Sequence, residues 1–220
     1  MRRRRPLTMT ALVLCLTSGA MACGGVSPTV NVSGDPKAEA AFANIAEVLA
    51  ADKDGRFTTL LACAELTGAG AAITGTGPVT LFAPTNAAFA KAGVSCSKDS
   101  KLSDTQSAAL LRTLAQHVTD VDVRFSPPAN YDAKKPPRGL ELVTSKPVTV
   151  DSILLDAPGT ALVVTPDKSV STVDAPAKKA KVIEADVQAP NGMIQVIDAV
   201  LMPPSKPAYP PTTVPPKPFE

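Results

Sequence analysis

The order of the patterns along the chain predicts an α+β fold. Apolar stripes of helical period crowd the stretch between residues 35 and 118, and a series of short β-rich runs fills residues 121–201. A hydrophobic content of 45% is enough to bury a core, which excludes wholesale disorder. Aromatics are only 4% and Trp is absent, so that core is built from Ala, Val, Leu and Ile. The 220 residues suffice for one domain with extensions, or two small domains. The 22 prolines are about twice ordinary usage, and their uneven placement sets the domain limits.

Residues 1–22 read as a signal peptide. Arg2 to Arg5 supply the charged start, Leu7 to Leu16 an apolar run, and Ser18, Gly19, Ala20 and Ala22 the small-residue end. The run is too short to span a bilayer, which takes about 20 residues. Two cleavage readings stay open. Ala20-Met21-Ala22 suits an ordinary signal peptidase, whereas small residues directly before Cys23 resemble a bacterial lipoprotein box. Thiol parity favours the second. Cys15 leaves with the signal, and if Cys23 carries lipid, Cys63 and Cys96 are left to pair in an oxidising compartment. Removing four Arg and no acid takes the formal charge from +2 to −2 (+2 minus 4). The mature chain therefore has no cationic field for nucleic acid.

The mature chain divides into a tether at 23–36, a domain at 37–204 and a Pro-rich tail at 205–220. Asp35-Pro36 has the form of a helix start, followed by a stripe through Ala38, Ala41, Phe42, Ile45, Val48 and Leu49 that Gly55 breaks. A second stripe at Phe57, Leu60, Leu61 and Ala64 places Cys63 beside a buried face. Gly68 to Gly77 reads as a loop, and Val79 to Ala83 as a strand closed by Pro84, after which Thr85 caps a short helix carrying Phe89. Ser103-Asp104-Thr105-Gln106 has capping-box spacing and opens a long helix with Leu110, Leu111, Leu114 and Val118 on its stripe and His117 beside them. Short strands then follow at 121–125, 140–143, 147–150, 161–165, 170–173, 180–187 and 193–201, separated by turn residues.

Few residues suggest chemistry. His117 is the single histidine, and a catalytic role would need a nucleophile and an orienting acid beside it. A buried histidine with both nitrogens hydrogen-bonded is the favoured reading; a small surface hydrolase pairing His117 with Asp198 or a nearby Ser is the rival. No G-x-S-x-G elbow occurs, and the glycines at 68–70 follow a helix rather than a strand, so they do not form a dinucleotide loop. Asp52 and Asp54 lack the other ligands of a calcium loop, and Asp120 and Asp122 fit a solvated strand edge. One His and two pairing Cys make no zinc set, so no metal or cofactor is expected. Strand alternation puts Asp198 on the face of Ile194, Val196 and Val200, where a structural role is favoured.

Three segments in order resemble one family. Thr80-Leu81-Phe82-Ala83-Pro84-Thr85-Asn86-Ala87-Ala88-Phe89 is similar to the first signature of fasciclin-like domains, and the stretch from Asn191-Gly192 through Ile197-Asp198 to Pro204 resembles the second. Leu114 to Val118 looks like the Tyr-His segment, with Gln116 in place of the Tyr, and Gln195 stands where the second signature commonly has His. The resemblance spans about 37–204 and implies a wedge of two β-sheets with helices packed over it, its signature residues being structural. It further implies a non-enzymatic adhesion module at the cell surface, binding surface or matrix proteins or polysaccharides. The expected setting is the outer face of a bacterial membrane through a lipid on Cys23, or secretion as an unanchored signalling module. A monomer is expected.

Overall fold

The computed structural model describes residues 42–97, 99–129, 131–153 and 161–203. The signal peptide, Cys23, the tether, the Asp35-Pro36 helix start and the 205–220 tail lie outside the described residues. Five helices and nine strands follow one another within them.

The first described helix, α1 (Ile45–Ala50), starts at Asn44, whose extended backbone (φ −160°) lets its side chain accept from the Glu47 N–H. That cap corrects the expected stripe: among the described residues, 42–44 are not helical, so Phe42 does not share a helix with Ile45. Helix α2 (Thr58–Thr67) ends at Gly68, held at φ 72°, where a side chain is disfavoured. The glycine-spaced loop contains a further short helix, α3 (Ala71–Thr74), which periodicity over so few residues does not reveal. Thr85 caps α4 (Asn86–Lys91) by accepting from Ala88 N–H. Ser103 and Gln106 form the expected capping box of α5 (Asp104–Ala115). This helix stops short of the expectation: His117 lies in a turn and Val118 opens β2 (Val118–Thr119). The cause is competition from the sheet, since β2 pairs with β1 (Val79–Pro84) and Phe82 N–H donates to the His117 carbonyl at 2.8 Å.

Seven strands form one ribbon in the order β2-β1-β9-β8-β7-β6-β5, and β3 (Asp122–Arg124) with β4 (Leu140–Leu142) forms a small parallel pair. Within it β1 runs parallel to β9 (Gly192–Ile197), with Leu81 opposite Ile194 and Ala83 opposite Val196. The long β8 (Ala180–Ala189) is antiparallel to β9 and carries two register shifts. It hands the ribbon on to β7 (Ser169–Thr172), β6 (Leu162–Thr165) and β5 (Val148–Val150). The last strand is shorter than the apolar run 193–201 implies. It ends at Ile197, and just beyond it Asp198 N–H donates to the Lys181 carbonyl of β8 at 3.1 Å.

Strand alternation sends the two faces of β1 and β9 into different cores. Leu81, Ala83, Ile194 and Val196 pack with Phe89, Leu60 and Leu114 of the helices. Phe82 and Ile197 point the other way and meet Val150, Leu162, Val164 and Val170 of the outer strands. This is the α+β wedge, with helices over one face of the central strands and the remaining ribbon over the other.

Cys63 and Cys96 are bonded, with Cα atoms 5.2 Å apart and a sequence separation of 33. The bond ties the fully buried middle of α2 to the segment after α4, beside the helix-side core. Reducing it is expected to cost about 2–4 kcal/mol by freeing the unfolded chain, lowering the thermal midpoint by roughly 5–15 °C. Melting curves with and without reductant measure this, and an unchanged midpoint contradicts it.

Candidate functional site

Most residues of the two signature segments build the frame. The Thr80 hydroxyl donates to the Val121 carbonyl at 2.6 Å and accepts from Val123 N–H at 2.9 Å, fixing β3 against β1. Asn86 accepts from Thr59 N–H with its amide oxygen (2.9 Å) and donates to the Gly55 carbonyl (2.9 Å), which seats the start of α2 on α4. Asn191 accepts from Ile45 N–H at 2.8 Å and donates to the Ile73 and Gly75 carbonyls at 3.0 and 2.9 Å, joining α1 and α3 to the start of β9. Thr85, Phe82, Phe89 and Ile197 are buried, and Pro84 ends β1. Gly192 serves a different end from the one turn chemistry suggests. It does not occupy the positive-φ region; instead a Cβ there would run into the carbonyl of Val79.

His117 is fully buried. Leu201 N–H donates to its Nε2 at 2.9 Å, so Nε2 is the acceptor and Nδ1 carries the proton, donated to the Thr113 carbonyl at 2.7 Å. Burial disfavours the imidazolium and pulls the pKa from 6.5 to about 4, only partly opposed by the Thr113 carbonyl. Asp198 lies elsewhere in the network, accepting from Lys181 N–H at 2.7 Å just past the end of β9, and not on the strand face that alternation implies. The pairing that a hydrolase would require is thus not made: both nitrogens of His117 are engaged with backbone.

Gln195 is buried in the same strand and makes three bonds. It donates to the Val123 carbonyl (2.9 Å) and to Asp186 (2.8 Å), and accepts from Asp186 N–H (2.9 Å). The Asp186 carboxylate also receives Phe125 N–H and Ser126 N–H at 3.0 and 2.8 Å. Asp186 sits at φ 60° within β8, beside a register shift. Sequence reasoning passed over it inside an apparent strand; the available signal was an Asp, a residue that tolerates this conformation, among β-formers.

Asp52 and Asp122 are also occupied. Asp52 holds Arg56 through both carboxylate oxygens, and that hydrogen-bonded guanidinium lowers its pKa. Asp122 is paired with Arg124 at 2.9 Å and both are largely covered, which corrects the expected solvated edge. Among the described residues no group of three or more His, Cys, Asp or Glu could hold a metal ion, and no helix is long and apolar enough to cross a membrane. What the surface offers is concave. A small apolar pocket of about 70 Å³ opens among α2, α3 and α5, with the 40%-exposed Leu111 on its wall. A cavity of about 140 Å³ has Arg56, Asp52 and Glu184 in its lining.

The family model described as the fasciclin domain matches residues 55–203. No curated protein matches the chain. Among solved structures it is similar to a FAS1 domain pair from the insect cell adhesion molecule fasciclin I, at 20% identity and a TM-score of 0.39. That match covers 67% of this chain and 46% of the insect one, so this chain spans under half of its length.

Since the folded-state pKa of His117 lies below the unfolded value, the unfolded chain binds the extra proton between pH 6.5 and about 4. Its contribution is complete above pH 6.5 and is lost as the pH falls to about 4, a change of about 3 kcal/mol. His117→Gln is expected to flatten that part of the pH–stability curve in urea unfolding. A curve of unchanged slope between those pH values contradicts the account.

Proposed function

Because the chain belongs to the fasciclin domain family, we propose that it acts as a non-enzymatic adhesion module held outside a bacterial membrane by lipid on Cys23. One observation carries this reading. The side chains at the signature positions, His117 included, are spent on backbone hydrogen bonds and core contacts, which makes a packed body in which, among the described residues, both nitrogens of His117 face backbone groups and not a nucleophile. Such a body works by presenting a surface. The disulfide suits an exported protein. The net charge of −2 on the mature chain gives it little attraction to anionic lipid, so the anchor would supply membrane attachment and the tether at 23–36 the reach. The ligands would be surface or matrix proteins or polysaccharides, met by a monomer without cofactor or nucleic acid.

Three measurements test the proposal. Mass spectrometry of the mature protein is expected to find Cys23 first in the chain with a diacylglyceryl mass, and Cys23→Ser is expected to move the protein from the membrane to the soluble fraction. An unmodified Cys23 removes the anchor. The soluble variant is then expected to bind saturably to intact cells, to a purified surface protein or to wall polysaccharide. Absence of saturable binding to all three refutes adhesion.

A further inference from the structure

Of the five asparagines in the chain, only Asn191 is followed by glycine; the others precede Val32, Ile45, Ala87 and Tyr131. An Asn-Gly pair is chemically self-reactive, because the glycine nitrogen is not shielded by a side chain on its own residue. In the reaction a bond forms between the Gly192 nitrogen and Asn191 Cγ. The Cγ–Nδ2 bond breaks, and that nitrogen leaves as ammonia with the proton of the Gly192 amide. Water then opens the resulting imide ring at either carbonyl, leaving aspartate or isoaspartate at the position.

Water is at hand in the folded domain, since Asn191 and Gly192 are half-buried and line an open cleft of about 300 Å³. The obstacle is conformational. The Asn191 amide accepts from Ile45 N–H at 2.8 Å and donates to the Ile73 and Gly75 carbonyls at 3.0 and 2.9 Å. Folding Cγ onto the next backbone nitrogen gives up all three bonds. Val79 N–H also holds the Asn191 carbonyl, which the imide would take into its ring, and Gly192 is paired with both Val79 and Ala189. Nor does either product fit the site again. Aspartate accepts but does not donate, so it would set a negative oxygen against the carbonyls of Ile73 and Gly75. Isoaspartate routes the main chain through Cβ and Cγ, adding an atom at the start of β9, where register decides which core each side chain enters. We propose that Asn191 is a conformation-gated deamidation site, locked while α1, α3 and β9 are joined and reactive once that junction parts. Deamidation there is a one-way mark on each molecule that has opened, whether or not the domain is adhesive.

The test follows the amide-to-acid mass gain at Asn191 by peptide mapping of the mature chain, its disulfide intact, incubated at mildly alkaline pH in buffer or in urea. In urea Asn191 is expected to react ahead of the other four asparagines. In buffer its reaction is expected to be at least about a hundredfold slower, because a closed site reacts only through its opened fraction. Equal rates in the two solvents, or an Asn191 that stays intact in urea, overturns the proposal. Two cap variants separate a local lock from overall stability. Asn44→Ala removes the cap of α1 beside the Ile45 N–H that Asn191 holds, and Ser103→Ala removes the distant cap of α5 at a comparable cost. Asn44→Ala is expected to speed the reaction in buffer severalfold more than Ser103→Ala, with both unchanged in urea. Equal acceleration by the two, or none by Asn44→Ala, overturns the lock. Chain deamidated in urea and returned to buffer is expected to melt below chain returned before it reacts, and a midpoint equal to the unreacted one contradicts the one-way mark.

Discussion

Between the carbonyl of Val79 and the α-carbon of Gly192 there is no space for a side chain, and the same is true between Gly77 and the carbonyl of Asn191. This backbone-to-backbone approach brings together two chain segments more than a hundred residues apart. It sets β1 and β9 side by side in parallel, with Val79 N–H on the Asn191 carbonyl at 3.2 Å. Any Cβ at Gly192 or Gly77 would push the strands apart, and every alternating contact downstream would lose its register. Asn191 extends the constraint outward, because its side chain holds the first N–H of α1 and the carbonyls that end α3.

From this pair the two cores follow. One face of β1 and β9 requires the helices, the other requires the outer strands, and neither face is complete without its cover. The polar residues between the layers act as clips. His117 clips the end of α5 to the chain after β9, through Thr113 on one nitrogen and Leu201 on the other. Gln195 with Asp186 clips β8 and β9 to β3. Buried polar groups so fully paired specify one packing, since breaking any bond leaves a desolvated donor or acceptor.

Much of this was legible in the sequence, and the reasons differ by element. Helix caps were readable because Thr85, Ser103 and Gln106 act through neighbours in the chain. The β1 and β9 strands were readable because Leu81–Ala83 is apolar on both faces and Ile194–Ile197 is broken only by Gln195. The end of α5 was not, because His117 and Val118 continue a helical stripe and only pairing with β1, far off in sequence, turns them into a strand. Asp186 and the role of Gly192 stayed hidden for the same reason: each answers to a distant backbone. The Arg56–Glu184 pair joins residues 128 apart in sequence, which no local pattern announces.

The account stands or falls on the β1–β9 pair being the last part of the domain to open. Native-state hydrogen exchange tests it directly. The amides of Leu81–Ala83 and Ile194–Ile197 are expected to exchange only through global unfolding, slower than those of β5 to β7. Exchange of the central pair through local opening, ahead of the outer strands, would contradict it.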